Sequence, residues 1–559
     1  MGGIVLGAFL LRLFYLLQIE SIPFFEALVS DAQAYNAWAD RIRTGGFLGT
    51  EPFYQAPAYP YFLALVKSSI GTGLFGVRVV QCLMGALSCG LIGLAGAGFF
   101  NRRAGLWSAG ILAVYGPALF VDGLIQKTAL AEFLGCLLLA SLAWQQCRPG
   151  RLKPVAIGLV LALFALTREN ALVLAPVIAA WLWLGHPSLR ASQRIRNLAL
   201  TLLGLAVLLG PVGLRNRLLG GGFSLTTVQL GPNFFVGNNP EATGRYRPLV
   251  PGHETPEFEQ ADATRMAEEA LGRSLSPDEV SDYWLDRSWA YIRHQPGAWL
   301  KLMVHKWLMV WNAYEIPDTE SYNVYAEWSW LLGTLGGLFH FGVLVPAAAM
   351  GVWLTRPCWR RLWLLYAMVL AMAGAVALFF VFGRYRYPLV PALVLLAGAG
   401  LVELLNAWRR SDRRRVLAGV GVALAAGVAV NWPINPEREL DAMAWGNLGS
   451  ALARQDRIEP AVVFFERAVE GAPSSAEMRY NLGLAYARTN RLGQAVEQFE
   501  AALALNPQLV EVNYQLASVL ERLKRFDEAL VHYGLALKRN PGDTDAANAI
   551  KRLGAPAAE

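Results

Sequence analysis

Charge is what this 559-residue chain has least of: 16% of its residues are Asp, Glu, Lys or Arg, against roughly a quarter in soluble domains. That shortage argues against an ordinary water-soluble enzyme and for membrane insertion. Histidine is scarce as well, with six residues and no metal-ligand spacing, so the signature of a histidine-based metal centre is missing. The five cysteines, Cys82, Cys89, Cys136, Cys147 and Cys358, each fall within or at the end of an apolar run. They read as small apolar side chains rather than zinc ligands or a disulfide framework. The formal net charge of +7 is dispersed among short loops. No basic groove with interleaved aromatics is present, which removes the nucleic-acid-binding pattern.

What the chain has instead is apolar length. Hydrophobic residues make up 55%, with 18 Trp and 19 Tyr to furnish interfacial belts. A spanning helix needs about 20 mostly apolar residues. Eleven candidate spans cover about 2–19, 75–99, 104–121, 124–144, 153–167, 170–185, 197–214, 328–354, 361–382, 387–405 and 415–432. The first contains Arg12 and no small-residue cleavage signature, so it reads as a retained span. Basic clusters at Asn101–Arg103, Cys147–Lys153, Arg190–Arg196, Arg356–Arg361 and Arg409–Arg415 all share one parity. By the positive-inside rule they are cytoplasmic, which puts loops 20–74 and 215–327 and the tail after 432 on the outer face. Residues 298–313 are apolar but interrupted by Lys301, His305 and Lys306, and read as an amphipathic interfacial helix.

After Trp432 a repeat begins. Asn447-Leu448-Gly449 recurs as Asn481-Leu482-Gly483 and, more weakly, as Gln515-Leu516-Ala517. Ala461, Ala495 and Ala529 are 34 apart, as are Ala468, Ala502 and Ala536, and Pro473, Pro507 and Pro541. Small residues let paired helices approach, and each proline closes a unit. The pattern resembles the tetratricopeptide repeat, with three units and a capping helix within 440–553. Such α-solenoids present concave surfaces to partner proteins.

Chemistry-bearing residues lie at the outer ends of the spans. Ser30-Asp31-Ala32-Gln33 fits a capping box with Ser30 as N-cap, which would place Asp31 at a helix start favourable to an anion. Asp31, Tyr35, Trp38 and Ile42 form one helical stripe. A carboxylate beside rings at a membrane surface suits gripping a polar substrate and taking its proton. Asp122 stands where the third span emerges, with Lys127 and Glu132 following. Charges there are costly and tend to be functional; Lys127 and Glu132, five apart, read equally as a mutual ion pair. Arg168 and Glu169, in a short hairpin, read as substrate contacts or solvated turn charges.

Tyr54-Gln55-Ala56-Pro57-Ala58-Tyr59-Pro60-Tyr61 then leads into a short apolar helix. An early acidic residue followed by this turn resembles the GT-C glycosyltransferases, closest to the protein O-mannosyltransferase branch that includes aminoarabinose transferases. Leu214-Arg215-Asn216, Gly231–Pro240 with Gly244-Arg245-Tyr246, Lys306 with Trp311–Glu315, and Arg384-Tyr385-Arg386-Tyr387-Pro388 support it over 1–432. The resemblance implies an all-α polytopic membrane domain that transfers a sugar from a polyprenyl-phosphate donor to an outer-face acceptor, with inversion. Asp31 matches the general base, with Asp122 as a second substrate-facing acid. Tyr35, Tyr59, Lys127, Arg168, Asn238, Arg384 and Arg386 would bind substrate, the two late arginines meeting phosphate charge or snorkelling to headgroups. Some family members use a divalent metal and others do not, and no metal ligand is assigned. Two rivals share the architecture: an O-antigen ligase or oligosaccharide transferase using a pyrophosphate-linked glycan, and a membrane-anchored repeat scaffold without catalysis. The compact loops favour a bacterial inner membrane.

Overall fold

The computed structural model describes all residues except 149, 151, 186, 188, 251, 252, 254 and 555–559. Pro149 and Arg151 of the second basic cluster therefore lie outside the described residues. Among the described residues the chain is helical, without a strand. It divides into two compact units.

The first unit comprises residues 1–21, 29–316 and 325–435. Its opening helices are α1 (Gly2–Gln18), α2 (Ser30–Arg43), α3 (Ala58–Ile70), α4 (Leu74–Phe99), α5 (Arg102–Val114), α6 (Gly116–Asp122) and α7 (Lys127–Cys147). There follow α8 (Lys153–Thr167), α9 (Leu174–Leu184) and α10 (Ala191–Leu218). The large loop holds α11 (Leu230–Gly237), α12 (Pro256–Leu271), α13 (Pro277–His294) and α14 (Pro296–Trp311). The last set is α15 (Tyr322–Trp328), α16 (Trp330–Leu338), α17 (Phe341–Thr355), α18 (Trp359–Leu378), α19 (Val390–Arg409) and α20 (Arg413–Val430).

Helix therefore occupies each of the eleven expected segments. By length and composition, however, five stretches can cross a membrane: Leu74–Phe99, Lys127–Cys147, Ala191–Leu218, Trp330–Leu378 and Gly383–Arg409. Two bent pairs raise this to at most seven, one broken by 114° between Gln18 and Pro23 and the other by 59° between Val114 and Gly116. The difference lies in breaks within the apolar runs, such as Gly116-Pro117, and in helices α8 and α9 being short. Glycines bring the spans close. A side chain at Gly158 or Gly204 would strike the facing backbone of α10 or α8 at 2.1 and 2.3 Å, so these helices pack backbone to backbone.

Two contacts form at loops that carry basic clusters. Arg361 donates to the Gly98 carbonyl at 3.0 Å and Arg415 bonds Glu403 at 3.0 Å. Helix α14 does not divide cleanly into polar and apolar faces: Lys301 and His305 are exposed together with Leu300, Val304 and Leu308, whereas Lys306 is buried with Leu302, Met309 and Val310.

The second unit joins residues 436–559 with two segments of the outer loops, 22–28 and 317–324. Helices α21 (Glu437–Arg454), α22 (Ile458–Gly471), α23 (Ala476–Arg488), α24 (Leu492–Leu505), α25 (Val510–Arg522) and α26 (Phe526–Arg539) form three pairs, and α27 (Thr544–Gly554) follows. The period of 34 has a physical cause at each position. Ala461, Ala495 and Ala529 are fully buried. Gly449 and Gly483 leave room for Phe465 and Phe499, which a Cβ would meet at 2.9 and 2.6 Å. Asp456, Asn490 and Lys524 turn each pair at φ near +60°, a conformation that short polar side chains tolerate best. Arg488 and Arg522 each bond the turn residue of the preceding repeat, Asp456 at 2.7 Å and Asn490 at 2.9 Å. The first repeat also holds the two loop segments: Asn447 donates to the Thr319 carbonyl at 3.1 Å and Gln455 to that of Pro23 at 3.2 Å.

Candidate active site

The first outer loop is fixed by the motif that ends α10. Arg215 donates to the carbonyls of Leu48 and Glu51 at 2.6 and 2.9 Å, and its guanidinium lies 3.6 Å from the Phe53 ring centre. Asn216 accepts from the Phe53 amide and donates to the Ser224 carbonyl. These bonds tie residues 48–53 to the start of the large loop, and so place Gln55.

The start of α2 differs from the expected capping box. Ser30 takes φ +49° as the first helical residue, Val29 is the N-cap, and no side chain caps the helix. A serine cap needs extended backbone at the cap position, which Ser30 does not have. Asp31 thus sits second in the helix. Gln55 Nε2 donates to its Oδ1 at 2.8 Å, and Arg384 Nη2 donates to its Oδ2 at 2.7 Å. The other arm of Arg384 donates to Gln126 Oε1 at 2.7 Å. Burial pushes the Asp31 carboxyl up, but Arg384 and Lys127 more than offset this and hold it below the usual carboxylate range.

Around this pair the turn at α8 contributes two charges. Arg168 is buried, donates to Thr128 Oγ1 at 3.1 Å, and lies 4.9 Å from the Tyr385 ring centre. Its Nε has no hydrogen-bond partner among the described residues. Glu169 accepts from Gln229 at 2.8 Å and faces Lys127 at 3.8 Å. The Tyr35 hydroxyl is buried without a hydrogen-bond partner among the described residues. Its ring meets that of Tyr59 edge to face at 5.5 Å. Burial first, and then the Asp31 charge, raise the Tyr35 phenol above its ordinary value, so it stays a hydrogen-bond donor. Tyr59 in turn donates to Gln81 at 2.7 Å.

Of the residues singled out in the sequence, the structure brings together Asp31, Tyr35, Tyr59, Lys127, Arg168 and Arg384. Three it places elsewhere. Asp122 pairs with Arg12 at 2.7 Å, both fully buried, so the acid beside the cluster is Glu169 rather than Asp122. Arg386 faces away from Arg384: it donates to the Asn312 and Tyr314 carbonyls, pairs with Glu315 at 3.0 Å, and covers the Phe341 ring. These contacts fasten the chain after α14. Asn238 is buried, donating to the carbonyls of Phe234 and Leu378 and accepting from Trp299 and Lys306. Lys127 pairs with Glu169 and not with Glu132, whose carboxylate finds no hydrogen-bond partner among the described residues.

Gln55, Gln126, Gln229 and Tyr385, together with the already noticed Glu169, complete the cluster. The sequence signal of the first four was weak, being neutral amides or a ring beside residues already noticed. The five meet only because loops expected on one face converge. Among the described residues no group of three or more His, Cys, Asp or Glu could hold a metal ion. Asp31 and Glu169 each face a cation, a donor set that does not suit a divalent metal, so no step is routed through one.

Comparison with known proteins finds a family match within the membrane half. Residues 54–212 match the dolichyl-phosphate-mannose-protein mannosyltransferase family. The tail matches tetratricopeptide repeats at 442–474, 464–509 and 480–544. The first stretch begins after Asp31 and ends before Arg384, so the roles of those two rest on geometry. No curated protein matches the chain. Similar solved structures include the Arabidopsis OM64 TPR domain, with 22% identity, a TM-score of 0.21, and coverage of 21% of this chain and 96% of that one. A crystal structure of MamA has 22% identity and a TM-score of 0.20, covering 26% of this chain and 80% of that one. The family matches support a multi-pass membrane glycosyltransferase of the mannosyltransferase type that carries tetratricopeptide repeats.

Proposed function

We propose that this mannosyltransferase-type chain moves a single sugar from a polyprenyl-phosphate carrier to an acceptor hydroxyl on the extracytoplasmic face of a bacterial inner membrane. The observation that carries the reading is the gathering of Arg384 and Lys127 around Asp31, with Arg168 beside Arg384, buried and, among the described residues, hydrogen-bonded to no carboxylate. A buried guanidinium without an anion is costly, and a phosphate would supply one through two parallel hydrogen bonds.

In this mechanism Asp31 accepts the proton of the acceptor hydroxyl. The acceptor oxygen bonds to the anomeric carbon as that carbon's bond to the phosphate oxygen breaks. The bond's electron pair leaves on the phosphate, where the cations stabilise it. Attack opposite the leaving group inverts the anomeric centre. Tyr35 is placed to donate a hydrogen bond to a sugar or acceptor hydroxyl. The repeats would recruit a protein acceptor, and an envelope lipid or glycan is the alternative.

Charge favours a monophosphate donor over the pyrophosphate-linked rival. Three cations face two carboxylates, which leaves one positive charge for the single negative charge of a phosphodiester. The test is transfer in vesicles supplied with a labelled polyprenyl-monophosphate sugar or a pyrophosphate-linked one. Transfer from the monophosphate, lost in Arg168→Gln, is expected. Transfer from the pyrophosphate donor alone would overturn the donor, and transfer from neither would leave a scaffold.

A further inference from the structure

Both oxygens of Asp31 are occupied before any substrate is considered. Gln55 holds Oδ1, and Arg384 holds Oδ2 at 2.7 Å. The pair is largely withdrawn from water, with side-chain exposures of 12% for Asp31 and 14% for Arg384, so solvent competes weakly for it. An acceptor hydroxyl that is to give its proton to Oδ2 must therefore displace the guanidinium. Arg384 itself is divided between Asp31 and the neutral Gln126, and its planar fork fits two phosphate oxygens equally well.

We propose that Arg384 is a donor-operated latch on the catalytic carboxylate, with Gln126 as the positioning residue that holds it closed. The latch rests on the polyprenyl-phosphate reading above. Before the donor arrives, Arg384 spans Asp31 and Gln126. The donor phosphate takes the fork, and Oδ2 becomes free as a base only when the sugar lies beside it. Donor binding therefore precedes acceptor activation. Arg168, which carries no such carboxylate bond, supplies the phosphate's first contact.

The latch makes phosphate and Asp31 competitors for one side chain, so weakening Asp31's hold should strengthen phosphate binding. The probe is undecaprenyl phosphate, titrated against the full-length protein in nanodiscs by tryptophan fluorescence. Gln126→Leu changes no charge and should tighten binding about threefold or more, because it removes a hydrogen bond from the guanidinium to an amide oxygen. Asp31→Asn should tighten it about tenfold or more, since that bond is charge-assisted. Glu169→Gln removes the same charge without touching Arg384 and should do clearly less, and Arg384→Gln should weaken binding. Equal effects of Asp31→Asn and Glu169→Gln, together with no effect of Gln126→Leu, would overturn the latch while sparing the donor assignment. Absence of binding by the wild type and every variant would instead overturn the donor assignment itself.

Discussion

Asp31→Asn separates a catalytic carboxylate from a structural one, because the replacement is nearly isosteric and its partners can adapt. Arg384 Nη2 can keep donating to the remaining oxygen. Gln55 can reverse its amide and accept from the new NH₂ in place of donating at 2.8 Å. What is lost in the fold is the anion of a largely buried ion pair, up to about 3–5 kcal/mol, still below a typical stability of about 5–15 kcal/mol. What is lost in the reaction is the base, about 10²–10⁴-fold in rate, or roughly 3–5 kcal/mol of barrier. Transfer of labelled sugar from polyprenyl phosphate, measured in membrane vesicles at matched protein content, should fall by at least two orders of magnitude while the melting temperature drops by only a few degrees. The pH profile adds a second check. Asp31 is held below the ordinary carboxylate range, so its ionised form persists as the pH falls through about 4. Any stability from this depressed value is present above that range and is lost only as the pH falls through the folded value. No acid limb in activity should therefore come from Asp31 between about pH 5 and 8. Arg384→Gln should lift its pKa and bring such a limb into view. Transfer by Asp31→Asn within tenfold of wild type would refute the assignment, and activity lost in step with unfolding would make the residue structural.

The other expectations concern groups around the site. Lys306 is buried with no carboxylate partner among the described residues, and desolvation lowers its pKa to about 7. The unfolded chain then binds a proton that the folded one does not, so stability should rise between about pH 7 and the ordinary lysine value, by up to about 5 kcal/mol; Lys306→Met should remove that slope from pH-dependent melting. Arg386→Ala removes the donor to the Asn312 carbonyl and takes from Glu315 its paired cation, and should cost about 3–5 kcal/mol of stability in thermal melts. At Gly85 a methyl would stand 2.0 Å from Asp122 Oδ2 and 2.5 Å from Arg12 Nε. Gly85→Ala should accordingly lower stability by about 1–3 kcal/mol, whereas Gly90→Ala, which meets only a valine methyl at 3.2 Å, should melt close to wild type.

Some of this protein is written locally. Membrane insertion follows from apolar runs, which no soluble fold could bury, and the repeat tail follows from three columns at one period. The stripe Asp31–Tyr35 is a helical property that needs no partner. The limits show where interactions are non-local. Arg384 and Arg386 are two residues apart in the same Arg-Tyr-Arg-Tyr motif, yet one meets Asp31, 353 residues away, and the other binds carbonyls 72–76 residues away. Spacing made Glu132 a plausible partner for Lys127, but tertiary packing gave Lys127 to Glu169. The expected cap at Ser30 failed for a backbone reason, its φ of +49°.

The sequence by itself determined the apolar bundle and the helical solenoid, because each depends on periodicities that a chain carries in order. Only the tertiary structure decided which carboxylates share the site. An ion pair is settled by which charges desolvated together can satisfy one another, and residues brought into contact from separate stretches of the chain leave no spacing to read.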